Sequence, residues 1–186
     1  THLQGLKSAS QHAIAVDRAC WQGEAICAVL AETRAQAEDA AALVQIEYEE
    51  LPVVVDMETA LDETTPLIHP ELGDNLCFQR EVNFGEVDKA FTDAHTVIEE
   101  TFHFGRHTGV CLEARGIVAD YNPATSQLTV YLSAQAPHMM KNLYAKHFGI
   151  SEDNVRVICK DVGGSFGIKV HTYPDEMATA ALSIML

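Results

Sequence analysis

Three glycines within five residues mark where the backbone of this chain can come closest to a bound group: Gly163-Gly164-Ser165-Phe166-Gly167, followed by Ile168-Lys169. Glycine has no Cβ to hold a ligand away. The free amides of such a turn favour an anion or an oxo group. The run is neither Gly-x4-Gly-Lys-Ser/Thr nor Gly-x-Gly-x-x-Gly, so the nucleotide-binding loops lose their support. A tight strand-to-helix connection without a ligand uses the same residues. Residue types alone leave both readings open. Lys169 either neutralises an anion held by the loop or stands solvated. Phe166, between glycines, is either an anchor in the core or one wall of a pocket.

Other side chains invite the same weighing. Gln135 stands in Ser133-Ala134-Gln135-Ala136-Pro137-His138, where its amide can hold a ligand oxygen or serve helix entry. His138 is a candidate general base or a first-turn helix residue. Glu113 and Arg115, two apart on an expected strand, share a face. They form a surface ion pair worth less than about 1 kcal/mol or the wall of a cavity. His103, His107 and Cys111 are spaced by four, which would align them for zinc on a helix. Thr101-Phe102-His103-Phe104-Gly105 reads as strand and turn instead, which scatters them, so no metal ligand set is expected.

The elements that must position these groups alternate along the chain. The apolar run 24–31 suits a buried strand. Thr33 can cap a helix over 34–44, rich in Ala, Glu, Gln and Arg. Ile46-Glu47-Tyr48-Glu49 alternates as a second strand. A helical turn follows near 57–61. Residues 62–76, with Asp62, Pro66, Pro70, Gly73 and Asn75, read as loop and boundary. A short helix is expected over 86–94 and strands over 95–104, 113–121 and 127–134. The last two are joined by the hairpin loop Asn122-Pro123-Ala124-Thr125-Ser126. Pro137 opens a helix that Gly149 ends. Val155–Cys159 reads as the strand before the glycine loop, and Tyr173-Pro174-Asp175-Glu176 as the start of a last helix.

The composition sets outer bounds. The 186 residues are 47% apolar, enough for one sizeable core or two small ones. A formal net charge of −15 disfavours nucleic acid and anionic membrane surfaces. No run approaches the ~20 apolar residues of a membrane span. Five widely spaced cysteines, an odd number, read as reduced thiols in a cytoplasmic protein. Both ends read as cut, because the apolar helix from Met177 to Leu186 has no C-cap.

Taken in order, these motifs resemble the molybdenum-binding large subunit of the xanthine dehydrogenase, aldehyde oxidase and aerobic carbon monoxide dehydrogenase superfamily. Trp21–Thr33, Ala37–Ala41 and Val44–Glu49 are similar to its small α/β hammerhead domain. Gly85–Phe91, Leu112-Glu113-Ala114-Arg115-Gly116, Gln135-Ala136-Pro137-His138 and Asp161–Gly167 resemble the opening of its molybdenum domain. The resemblance implies an α+β architecture: a hammerhead domain over 1–62, a linker over 63–84 and the N-terminal part of a molybdopterin-binding domain over 85–186. It implies a hydroxylase that oxidises a small aldehyde, N-heterocycle or carbon monoxide with oxygen from water. Molybdenum with molybdopterin is the implied cofactor. 2Fe-2S and FAD would sit on iron–sulfur and flavin partners in a hetero-oligomer. Gln135 would contact an oxygen ligand of the metal, Gly163, Gly164, Ser165, Phe166 and Gly167 would approach the cofactor, and Glu113, Arg115 and Phe166 would stand on the substrate side.

Departures from the pattern bear on substrate. Val170 stands where the purine-oxidising branch carries a glutamate, which counts against xanthine. The Gln-Ala-Pro-His and Gly-Ile-Lys-Val sequences are closer to the carbon monoxide dehydrogenase-like branch. Ser165 replaces the commoner middle glycine, and Ala114 a frequent proline. The family's catalytic glutamate belongs to later segments, so this stretch alone is expected to be inactive and not to hold the cofactor firmly. A non-catalytic assembly or interaction module with the same fold is the alternative from another class.

Overall fold

The computed structural model describes residues 4–186; residues 1–3, which open the expected 1–62 domain, lie outside the described residues. Its regular elements, in chain order, are α1 (Arg34–Ala42), α2 (Val87–Asp93), β1 (Ile117–Asn122), β2 (Gln127–Leu132), α3 (Pro137–Phe148), β3 (Val155–Ile158) and α4 (Pro174–Met185). Contacts divide the chain into two discontinuous units. One joins the described part of Thr1–Ser10 to Glu49–His107; the other joins Gln11–Tyr48 to Thr108–Leu186.

The second unit holds the core. β1 and β2 form an antiparallel hairpin, with Ile117 opposite Leu132 and Asn122 opposite Gln127. The Asn122 side chain accepts the Ala124 N–H at 3.0 Å and closes the turn. β2 and β3 run parallel, with Leu128 opposite Val155. Parallel neighbours need a crossover, and α3 supplies it. Leu128, Val130 and Leu132 alternate along β2 and are buried together. Met140 and Tyr144 of α3, Val155 of β3 and Ala180 of α4 complete the cluster. Each large apolar side chain removed from water contributes roughly 1.5–3 kcal/mol.

Local chemistry sets the helix limits. Thr33 Oγ1 accepts the Gln36 N–H, and Gln36 Oε1 accepts the Thr33 N–H, a reciprocal cap on α1. Pro137 and Pro174 stand in the first turns of α3 and α4, where the missing N–H costs nothing. Gly149 ends α3 in the left-handed region at φ +66.

In the first unit, Lys7 Nζ donates to both carboxylate oxygens of Asp74 at 2.7 and 2.6 Å, and the Lys7 N–H donates to the Cys77 carbonyl. Asn75 knits the neighbouring loop, accepting from Ile68 N–H and donating to the carbonyls of Ala60 and Pro66. No described residue of this unit is fully buried.

Three expected strands, over 24–31, 46–49 and 95–104, form no ladder among the described residues, and the one expected from residue 113 begins only at Ile117. Alternation and β-branching favour an extended backbone, but a ladder also needs a partner backbone to bond. The apolar run at 24–31 lies instead along α4. There Ala25, Cys27, Val29 and Leu30 line an apolar groove of about 640 Å³ with Ala178 and Leu182.

Tyr144 is fully buried, stacked on Phe148 with ring centroids 6.1 Å apart. Its hydroxyl has no hydrogen-bond partner among the described residues. An unpaired buried hydroxyl costs about 1–3 kcal/mol. Tyr144→Phe is therefore expected to raise stability by about 1 kcal/mol in urea unfolding; a loss of stability would reveal a partner for the hydroxyl.

Candidate cofactor cradle

The topology of the small sheet gathers the chemistry on one edge. β2 and β3 are parallel neighbours, so the segments that follow them, 133–136 and 159–173, leave from the same side. β1 is antiparallel to β2, so the segment that precedes it, with Glu113 and Arg115, reaches that side too. The Ser133 N–H to Gly116 carbonyl bond, 3.1 Å, extends this pairing past the strands. Binding at the carboxyl ends of parallel strands is a recurrent consequence of such geometry.

Glu113 is the hub. Its Oε2 accepts from Lys169 Nζ at 2.8 Å, from the Gly163 N–H at 2.6 Å and from Ser133 Oγ at 3.0 Å. The Lys169 ammonium is fully buried, so it is neither solvated nor free for an outside anion; its counter-charge is Glu113. The Lys169 bond first, then those from Gly163 and Ser133, hold the Glu113 carboxyl below the usual carboxylate range. A Cβ on Gly163 would lie 2.6 Å from the Glu113 Cβ, so this glycine is demanded by the closeness of the carboxylate segment.

Arg115 does not pair with Glu113. It forms a two-pronged ion pair with Asp175, both bonds 3.0 Å, and a third bond to Glu176 Oε1 at 3.1 Å. Its guanidinium lies 3.8 Å from the centre of the Tyr173 ring. Burial pushes the Glu176 carboxyl up, opposed by the Tyr173 N–H and by Arg115. The geometry thus turns the charged groups of Glu113 and Arg115 toward partners within the chain, one tying down the glycine loop and the other the start of α4.

The loop itself bends sharply. Gly164 (φ +96) and Gly167 (φ +88) take the left-handed region, and so does Phe166 (φ 48), where an aromatic residue is strained. The Phe166 ring is 78% exposed. A Cβ on Gly109 would meet the Phe166 Cβ at 2.9 Å, a requirement that no local signal in the sequence marks. Around the bend, Gly164 N–H donates to Val162 and Ile168 N–H to Ser165. Among the described residues, the amides of Ser165, Phe166 and Gly167 have no acceptor. Ser165 Oγ donates to Gln135 Oε1, which brings the exposed Gln135 against the loop.

Of the remaining candidates, Cys111 lies against the loop, its Sγ 3.7 Å from where a Cβ on Gly164 would stand. His138 is exposed in the first turn of α3. Residues 101–111 carry no helix, so His103, His107 and Cys111 gain no common face from their spacing. Ser133, Tyr173 and Asp175 are contributors that the sequence reading passed over. Asp175 was visible only as an acidic residue in a helix first turn, and its link to Arg115 spans 60 residues.

Three free loop amides and a neutral side-chain amide make a donor set without metal-ligating side chains. No group of three His, Cys, Asp or Glu that could hold a metal ion occurs among the described residues. Such a rim fits an anionic or oxo-bearing group that brings its own metal ligands. The loop and its neighbours thus form a backbone donor set suited to such a group.

The sequence profile of the molybdopterin cofactor-binding domain matches residues 68–186, and that of the aldehyde oxidase and xanthine dehydrogenase a/b hammerhead domain matches residues 2–52. The chain belongs to the molybdopterin-binding large-subunit family of the xanthine dehydrogenases, aldehyde oxidases and carbon monoxide dehydrogenases. It is 36% identical to the nicotine 6-hydroxylase large subunit of Paenarthrobacter nicotinovorans, over 94% of this chain and 21% of that one. It is 32% identical to the carbon monoxide dehydrogenase large chain of Hydrogenophaga pseudoflava, over 93% and 23%. Among solved structures, quinoline 2-oxidoreductase from Pseudomonas putida 86 superposes with a TM-score of 0.76 at 35% identity, over 83% of this chain and 20% of that one. The chain thus spans about a fifth of the length of these relatives. The shared architecture is the expected one, a hammerhead domain followed by part of the molybdopterin-binding domain.

Two outcomes follow from the clasps. A carboxyl held below its ordinary value adds stability above that value and loses it as pH falls through the lowered one. Glu113→Gln should therefore destabilise the protein by a constant amount above about pH 5, with the gap closing in more acid solution. Denaturant unfolding across pH measures it, and a gap that persists in acid would contradict the assignment. Arg115→Met leaves Glu176 buried without a counter-charge and should cost about 3 kcal/mol; adding Glu176→Gln should recover much of that loss.

Proposed function

We propose that this chain is part of a molybdenum hydroxylase that oxidises a small molecule of the aldehyde, N-heterocycle or carbon monoxide class. The supporting observation is the donor set of the loop: among the described residues the amides of Ser165, Phe166 and Gly167 have no acceptor, and the Ser165 hydroxyl bonds the Gln135 amide oxygen. Molybdenum with molybdopterin is the group it would hold. When bound, that group supplies two-electron oxidation with oxygen derived from water.

The residues of this chain bind and orient. Gln135 directs a neutral amide at an oxygen ligand, and the Gly163–Gly167 loop, Gly163, Gly164, Ser165, Phe166 and Gly167, brings its backbone to the group, with no Cβ in the way at Gly164 and Gly167. Exposed Phe166 offers an apolar wall on the substrate side. Glu113 and Arg115 act behind that wall, one anchoring the loop and the other α4. Val170, directly after Lys169, offers no carboxylate to orient a purine, which favours a non-purine substrate.

The electrons would pass to 2Fe-2S and FAD centres on partner proteins of a hetero-oligomer in the cytoplasm. The functional division is 1–62 hammerhead, 63–84 linker and 85–186 cofactor domain. No helix among the described residues is long and apolar enough to cross a membrane.

Elemental analysis and pterin fluorescence on the full-length protein should find molybdenum and pterin near one per chain, while residues 1–186 alone should show neither stable loading nor turnover. In the full-length protein, Gln135→Ala should lower kcat by on the order of tenfold or more with the metal retained. Full loading with unchanged kinetics would remove Gln135 from its role, and absence of the metal in a host that makes the cofactor would favour a non-catalytic assembly module.

A further inference from the structure

Three hydrogen bonds close a ring at the cradle. The Gln135 N–H donates to the Lys169 carbonyl at 3.1 Å. The Lys169 N–H donates to Ser165 Oγ at 3.3 Å. The Ser165 hydroxyl donates to Gln135 Oε1. A hydroxyl has one proton to give. Among the described residues, that proton has no acceptor other than the Gln135 side chain. An amide accepts only through its oxygen, and it is the oxygen end of Gln135 that faces Ser165 and takes this proton. Among the described residues the NH2 end then has no hydrogen-bond partner, and Gln135 is exposed.

We infer that Ser165 is a positioning residue that locks the Gln135 side-chain amide with its N–H2 end presented to the bound group. The inference rests on the reading that Gln135 faces an oxygen ligand there. An unlocked amide flips between two orientations that differ little in shape. One of them sets a carbonyl oxygen against a ligand oxygen, lone pair against lone pair, and contributes repulsion in place of a hydrogen bond. The loop makes room for the serine without strain: Gly164, Phe166 and Gly167 have positive φ, whereas Ser165 does not. A residue with a Cβ therefore sits at this place at no backbone cost, and the one present carries the hydroxyl that the amide needs.

The same ring ties Ser165 to the buried clasp. Lys169 bonds Ser165 through its N–H, Gln135 through its carbonyl and Glu113 through its ammonium. The orientation of the amide is thereby referenced to the buried Lys169.

The test uses the full-length protein with Ser165→Ala and Ser165→Thr, and with Ser165→Gly in place of alanine if that variant does not fold. Three quantities are read: molybdenum content, the electron paramagnetic resonance of the metal after partial reduction with dithionite, and hydrogen exchange at the Lys169 amide in cofactor-free protein. Ser165→Ala should keep its molybdenum and change the metal's resonance. It should speed exchange at Lys169 about fivefold, as expected for the loss of one hydrogen bond. Ser165→Thr, which keeps the hydroxyl, should restore the wild-type resonance and exchange. Retained metal with an unchanged resonance would overturn the inference, because the amide would then be oriented without the serine. Loss of metal from Ser165→Ala would also overturn it, since Ser165 would hold the group rather than orient Gln135. A wild-type protein without molybdenum would instead overturn the hydroxylase reading, and this inference with it, even where exchange at Lys169 responds as expected.

Discussion

A buried ammonium must have a counter-charge, and that requirement organises the site. Lys169 is sealed from solvent, and the Glu113 carboxylate answers it at 2.8 Å. The same oxygen takes the Gly163 N–H and the Ser133 hydroxyl. One carboxylate thus ties together the segment before β1, the end of β2 and the loop after β3. The loop's path is referenced to a charge pair whose ammonium is buried, and its glycines bend around that fixed point. Removing Glu113 strands the buried ammonium, and an unpaired buried charge is far costlier than an exposed one.

The sheet makes this clasp possible with three strands. An antiparallel hairpin beside a parallel pair sends one entering and two leaving segments to a common edge. Each brings one part: Glu113 and Arg115, then Gln135, then the glycine loop. α3 and α4 bury the β2 side chains that hold the sheet together. Arg115 adds a second tie to the opposite end of the loop, through Asp175, Glu176 and the Tyr173 ring. The loop is therefore held at both ends and left free in its middle, where its unbonded amides lie. A backbone cradle needs this combination, because amides can serve a ligand only if the fold has not already used them.

The glycines divide by the reason for their presence. Gly163 is small because Glu113 presses on it. Gly164 and Gly167 are needed for their left-handed backbone. Gly109, far away in sequence, is small because Phe166 passes over it. Only the first three fall within the Gly163–Gly167 motif, and two different constraints act on them.

Much of the local structure was legible beforehand. The helices from Arg34, Val87, Pro137 and Pro174, the hairpin at Asn122–Ser126 and the strand at Val155 carry caps, prolines, glycines and alternation that act over a few residues. The ordered motifs also sufficed to name the family. What the sequence did not carry was partnership across distance. The runs at 24–31, 46–49 and 95–104 have strand-like patterns, yet pairing depends on a neighbouring backbone that no local pattern specifies. Glu113 and Arg115 look like partners two residues apart, but each binds a charge 56 to 61 positions away. Lys169 reads equally as a neutraliser of a loop-bound anion or as a solvated lysine, and only packing shows it buried against Glu113. By itself the sequence determined which residues can bend, cap and donate, because those properties belong to single side chains and short segments. The tertiary structure decided which charge meets which, and which amides stay free, because both follow from how the strands are ordered in the sheet.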